Sequence, residues 1–92
     1  MDDKAIKIIR EYVRQLDNMG SWQKRNFQQM SYSRFIANEI LKKVLCTPSM
    51  SSIAILDVYI KKLDRWSCVS ADSSWMFSTM RDTAMDIYDR LL

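Results

Sequence analysis

The sequence predicts an all-α fold: a compact antiparallel bundle of four main helices in one domain, residues 1–92, with either one extra short helix or an irregular connection near residues 21–30. Three observations predict it. Apolar residues recur at helical spacing in four separate stretches. One Gly and one Pro in 92 residues are too few for the tight turns of an all-β domain, and the low Pro and Gly content also argues against a disordered or low-complexity chain. The length suits a single domain, which hides roughly 60 to 65% of its unfolded surface, and 48% hydrophobic residues are ample for one core and leave little room for a large cofactor.

The first helix runs over Asp2–Leu16. Ala5, Ile6, Ile8, Ile9, Tyr12, Val13 and Leu16 fall in one half of a 100° wheel, opposite Lys4, Lys7, Arg10, Glu11 and Arg14. Asp2 and Asp3 stand where the helix dipole favours carboxylates, and Gly20 follows as a cheap left-handed stop. Ser21–Met30 is mostly polar; Phe27 and Met30 share a face from which Trp22 diverges.

A second helix is expected after Ser31 or Ser33, either of which can cap it. Phe35, Ile36, Ala37, Ile40, Leu41, Val44 and Leu45 occupy more than half its wheel, so it should have neighbours on two sides. Thr47-Pro48 breaks it, because Pro disfavours the α conformation in the preceding residue and suits a first helical turn.

Ser49, Ser51 or Ser52 can cap the third helix, whose stripe is Ile53, Leu56, Tyr59, Ile60, Leu63 and Trp66. Asp57 and Lys61 oppose it in the favourable i,i+4 order. The fourth helix follows Asp72, Ser73 or Ser74 with a stripe of Met76, Phe77, Met80, Ala84, Ile87, Tyr88 and Leu91. Asp82, Asp86 and Asp89 line its other side.

What is missing restricts the chemistry. With no His the usual base near neutral pH is gone, and with it the Ser-His and Cys-His nucleophile pairs and every His-based metal site. Cys46 and Cys68 form no CxxC pair and are expected as buried structural thiols in a reducing, cytoplasmic setting. A single glycine excludes phosphate-cradling loops. Asp82, Asp86 and Asp89 could together hold a hard cation, but a solvated face with Asp86–Arg90 pairing is the reading preferred. No catalytic residue, metal or cofactor is therefore assigned, and a non-enzyme is expected. No apolar run approaches a membrane span and no signal peptide is recognised.

Charge is uneven. Residues 1–46 carry nine Lys or Arg against five acids, and residues 47–92 five against six. Lys4, Lys7, Arg10 and Arg14 form a basic stripe, and Trp22, Lys24, Arg25 and Phe27 combine cations with aromatics as single-strand binders do. Glu11 interrupts the stripe, which weighs against nucleic acid. Ser49–Leu63 bears a weak likeness to the second helix of a helix-turn-helix motif, without the usual Gly in the turn, and no function is carried over from it.

Seven Met and three Trp weigh towards protein contact, since Met adapts to irregular surfaces and Trp is enriched at binding hot spots. Trp22, Lys24, Arg25, Phe27 and Trp75 are the candidate partner-binding residues. Ile6, Ile8, Ile55 and Val58 extend the apolar arcs beyond one neighbour, and a homodimer would cover them.

A short, His-free, mildly basic helical chain is similar in type to the small proteins that bacterial phages and mobile elements encode, many of which bind a host or defence protein. That likeness implies an inhibitor or adaptor and supplies no site residue. The expectation is thus a protein-interaction module, the alternative a small nucleic-acid-binding regulator using the basic half.

Overall fold

The computed structural model describes residues 3–19, 27–69 and 74–92. Over these residues it is all-α, a four-helix bundle: α1 Asp3–Met19, α2 Phe27–Cys46, α3 Ser52–Val69 and α4 Ser74–Leu91. Among the described residues no helix is long and apolar enough to cross a membrane.

α1 follows its sequence pattern. Ala5, Ile6, Ile9 and Tyr12 are buried, with Val13 and Leu16 packed beside them. The helix ends at Met19, directly before Gly20, which lies outside the described residues. α2 starts earlier than expected. Ser31 and Ser33 sit inside it rather than capping it, and residues 27–30 are its first turn. The remainder of the expected extra segment, residues 20–26, lies outside the described residues.

The α2–α3 connection follows the turn chemistry. Pro48 lies inside a turn closed by the Met50 amide donating to the Thr47 carbonyl at 3.2 Å. Ser51 is the N-cap: its Oγ accepts from the Ala54 amide at 3.1 Å while its carbonyl accepts from Ile55 at 3.1 Å. So short a link returns α3 antiparallel beside α2.

α2 and α4 each touch all three other helices, with α1 and α3 on opposite flanks. The core lies between them, where Ile9, Ala37, Ile40, Leu56, Ala84 and Ile87 have no exposed surface. α3 packs most extensively on α4, whereas α2 and α3 approach each other sparsely. Thr83 is buried on α4; its Oγ1 donates to the Thr79 carbonyl at 3.0 Å and shares a hydrogen bond with Ser33 Oγ at 2.8 Å, tying α4 to α2. At the surface, Arg34 pairs with Asp17 at 2.9 Å and Arg81 with Asp64 at 2.8 Å, linking α2 to α1 and α4 to α3.

Some burial departs from the sequence reading. Cys46 and Cys68 are free and exposed, not core thiols; each sits in the last turn of its helix, Cys46 at the end of α2 and Cys68 one residue before the end of α3. Ile6 and Ile55 are buried within the bundle and Ile8 half-buried; of that group only Val58 is exposed. α3 is rotated relative to its predicted stripe, so that Ser52 and Ile55 join Leu56 and Leu63 inside, and Trp66 turns outward.

Candidate functional site: an apolar groove between α2 and α3

The sparse approach of α2 and α3 leaves an apolar groove of about 560 Å³ between them, floored by α4. Antiparallel pairing about the 47–51 turn sets its walls level with one another. Tyr32, Phe35, Ile36 and Glu39 come from α2; Tyr59, Lys62, Leu63 and Trp66 come from α3. Met76, Phe77 and Met80 of α4 close the bottom. These residues recur at spacings of three and four along each helix, the positions that share one helical face.

Aromatic rings gather at one end. Trp66 lies 5.4 Å from Phe77 at a tilted angle, and Tyr32 meets Trp75 edge to face at 5.5 Å. Phe35 and Trp66 stand on opposite lips and remain 56% and 39% exposed. Full burial of a large apolar side chain is worth about 1.5–3 kcal/mol, and these partly exposed rings forgo a fraction of that.

Among the described residues, two charged side chains enter the lining, Glu39 and Lys62. Lys62 holds its ammonium 4.9 Å from the centre of the Trp66 ring, a cation–π contact within α3. Glu39, on the α2 lip, pairs with Lys42 at 3.8 Å. Burial raises the Tyr59 hydroxyl above its ordinary pKa, and the Glu39 charge adds to the rise. The groove thus has an acid on one lip, a cation on the other and apolar surface between.

Compared with protein-family models, with curated proteins and with solved structures, the chain matches none of them. Its functional reading therefore rests on residues and geometry alone.

The residues singled out from sequence are dispersed. Trp22, Lys24 and Arg25 lie outside the described residues, and Phe27 is the first residue of α2 with its side chain likewise outside them. Trp75 is 52% exposed and extends the aromatic end of the groove through Tyr32. Lys4, Lys7, Arg10 and Arg14 are all exposed on α1, away from the groove. The last three border a shallow hollow with Asp3, Ile6 and Glu11. Arg14 donates two hydrogen bonds to Glu11, holding that carboxyl below its ordinary range, so one cation of the stripe is already engaged.

The acidic stripe is occupied in a similar way. Arg81 pairs with Asp82 at 3.3 Å and Arg90 with Asp86 at 3.6 Å, and all three aspartates of the stripe are exposed. Sequence reasoning overlooked Tyr32, Phe35 and Lys62 as site residues. The width of the α2 apolar arc signals more apolar surface than one neighbour covers, but not which residue is left outside; in the structure Ile36, Ala37, Ile40 and Val44 fill the core and Phe35 is exposed.

Proposed function

We propose that this chain is a non-enzymatic protein-interaction module that works by receiving a protein surface in the α2–α3 groove. The function meant is that of an inhibitor or adaptor of the phage or mobile-element kind, acting by contact. One observation carries the reading: an apolar groove of about 560 Å³ whose lips hold the exposed rings of Phe35 and Trp66. Apolar patches of this kind, rimmed by charge, are characteristic of binding surfaces on soluble proteins. The groove extends over residues 32 to 39 of α2, which is about two helical turns, enough to seat apolar side chains at i, i+3 or i+4 and i+7 of a facing helix.

The alternative is nucleic-acid binding through Lys4, Lys7, Arg10 and Arg14, which are exposed together on α1. Site-specific photo-crosslinking separates the two. A photoreactive phenylalanine analogue is placed at Phe35 in one variant and at Arg10 in another, and both are irradiated in cells that naturally make the protein. Protein adducts at position 35, absent at position 10, are the expected result. Nucleic acid attached at position 10, with no protein at position 35, overturns the proposal in favour of the alternative.

A further inference from the structure

We infer that the protein surface received by the groove is an acidic amphipathic helix, an apolar stripe flanked by Asp and Glu; the inference rests on the groove being a protein-binding site. Charge selects this occupant. The two helices that wall the groove, α2 and α3, hold six Lys or Arg against three Asp or Glu, while α1 and α4 hold six of each. The chain's formal net charge of +3 therefore resides on the walls of the groove.

The ion pairs show where that surplus is left. Glu39 is taken by Lys42, Asp57 by Lys61 and Asp64 by Arg81 of α4, while Arg34 reaches across to Asp17 of α1. Lys43, Lys62 and Arg65 remain, all exposed and without an ion pair among the described residues. Lys62 lies in the lining itself, and the Trp66 ring attracts its ammonium without cancelling the charge. Arg65 stands three residues further along α3, and Lys43 four residues beyond Glu39 on α2, the spacings that keep side chains on one helical face. Carboxylates beside an apolar stripe meet these cations at the rim, while the stripe enters the hollow over Leu63 and Met80, 3% and 7% exposed. A second copy of the chain is a poorer occupant, because its groove brings the same positive surplus.

Fluorescence anisotropy of three labelled peptides on the full chain tests the inference, with circular dichroism verifying that each variant keeps its helices. The peptides share one stripe of Leu and Phe at i, i+3, i+4 and i+7 and carry Glu, Gln or Lys on either side of it. The Glu peptide is expected to bind about tenfold tighter than the Gln peptide, and the Lys peptide weakest of the three. The difference narrows between about 0.1 M and about 1 M salt, where the screening length falls from ~10 Å to ~3 Å. Lys62→Glu combined with Arg65→Glu reverses the order in favour of the Lys peptide, and Phe35→Glu removes binding of all three.

Equal affinity for the Glu and Gln peptides overturns the inference, as does a preference that survives K62E/R65E, or no binding by any peptide. Where the peptides fail in one of these ways while position 35 still crosslinks to another protein, the acidic helix is excluded and the groove remains a protein site. Failure of the peptides together with loss of that crosslink overturns both readings. A labelled oligothymidine that binds more tightly than the Glu peptide, and is lost in Phe35→Glu, also overturns both and assigns the groove to nucleic acid.

Discussion

Arg90 lies with its guanidinium carbon 4.8 Å from the centre of the Tyr12 ring, so the last turn of α4 is clasped over α1. The same arginine pairs with Asp86 at 3.6 Å and donates to Gln15 at 3.4 Å. Tyr12 is thereby enclosed by both helices, with Asp86 as hydrogen-bonding neighbour.

This enclosure makes stability depend on alkaline pH. Burial first, then the Asp86 carboxylate, pushes the Tyr12 hydroxyl from its ordinary 10 up to about 12. The folded state therefore retains the phenol proton that the unfolded chain releases. The contribution is fully present below pH 10 and is lost as pH rises through 10 towards 12. Denaturant unfolding at a series of pH values should show the wild type weakening across that window and Tyr12→Phe weakening less. Equal slopes would remove Tyr12 from the explanation.

Ser51 and Ser52 are neighbours with opposite expected effects. Ser51 caps α3 through the Ala54 amide, so Ser51→Ala should cost about 1 kcal/mol. Ser52 is 1% exposed and its Oγ has no hydrogen-bond partner. Its hydroxyl carries a desolvation cost with no bond in return, so Ser52→Ala should be neutral or stabilising by up to about 1 kcal/mol. The two midpoints in urea provide the check, and a loss at Ser52→Ala equal to that at Ser51→Ala would contradict the account.

Core and surface apolar residues should separate clearly. Ile87 and Ile40 are fully buried, and truncation of either to Ala should remove about 2–5 kcal/mol, much of the 5–15 kcal/mol typical of a small domain. Val58 is 56% exposed on α3, and Val58→Ala should stay within about 0.5 kcal/mol. Denaturant titration of the three variants tests the ranking.

Both thiols should react in the native protein. Cys46 and Cys68 are free and exposed at the ends of α2 and α3. A colorimetric thiol reagent should label both without denaturant. Labelling of one alone, with the second appearing only on unfolding, would refute the exposure of the other.

Features set by neighbouring residues in the chain were legible in the sequence. The α1 stripe, the break at Pro48, the Ser51 cap and the Asp57–Lys61 pair, found at 2.9 Å, each depend on spacings of a few residues. Features set by the distance between helices were not. Periodicity identifies an apolar face but not the neighbour that covers it, so the wide arc of α2 could not reveal that Ile36 and Ile40 would be buried while Phe35 and Leu45 stayed exposed. Polarity misled in the other direction at Thr79 and Thr83. Both are buried on α4, since Thr83 can return its hydrogen bond to the preceding turn and to Ser33. The groove belongs to this second group: each of its walls is visible in the sequence, but the gap between them is not.

The position of α4 in the chain also imposes an order on biosynthesis. α1, α2 and α3 leave the ribosome before the helix on which all three pack. Until Met80, Ala84 and Ile87 are translated, Ile9, Ile40 and Leu56 lack the partners that enclose them. A nascent chain that stops short of α4 therefore displays an unfinished apolar surface, the kind that chaperones and proteases recognise, and the last 18 residues of helix decide whether the earlier three become a protein.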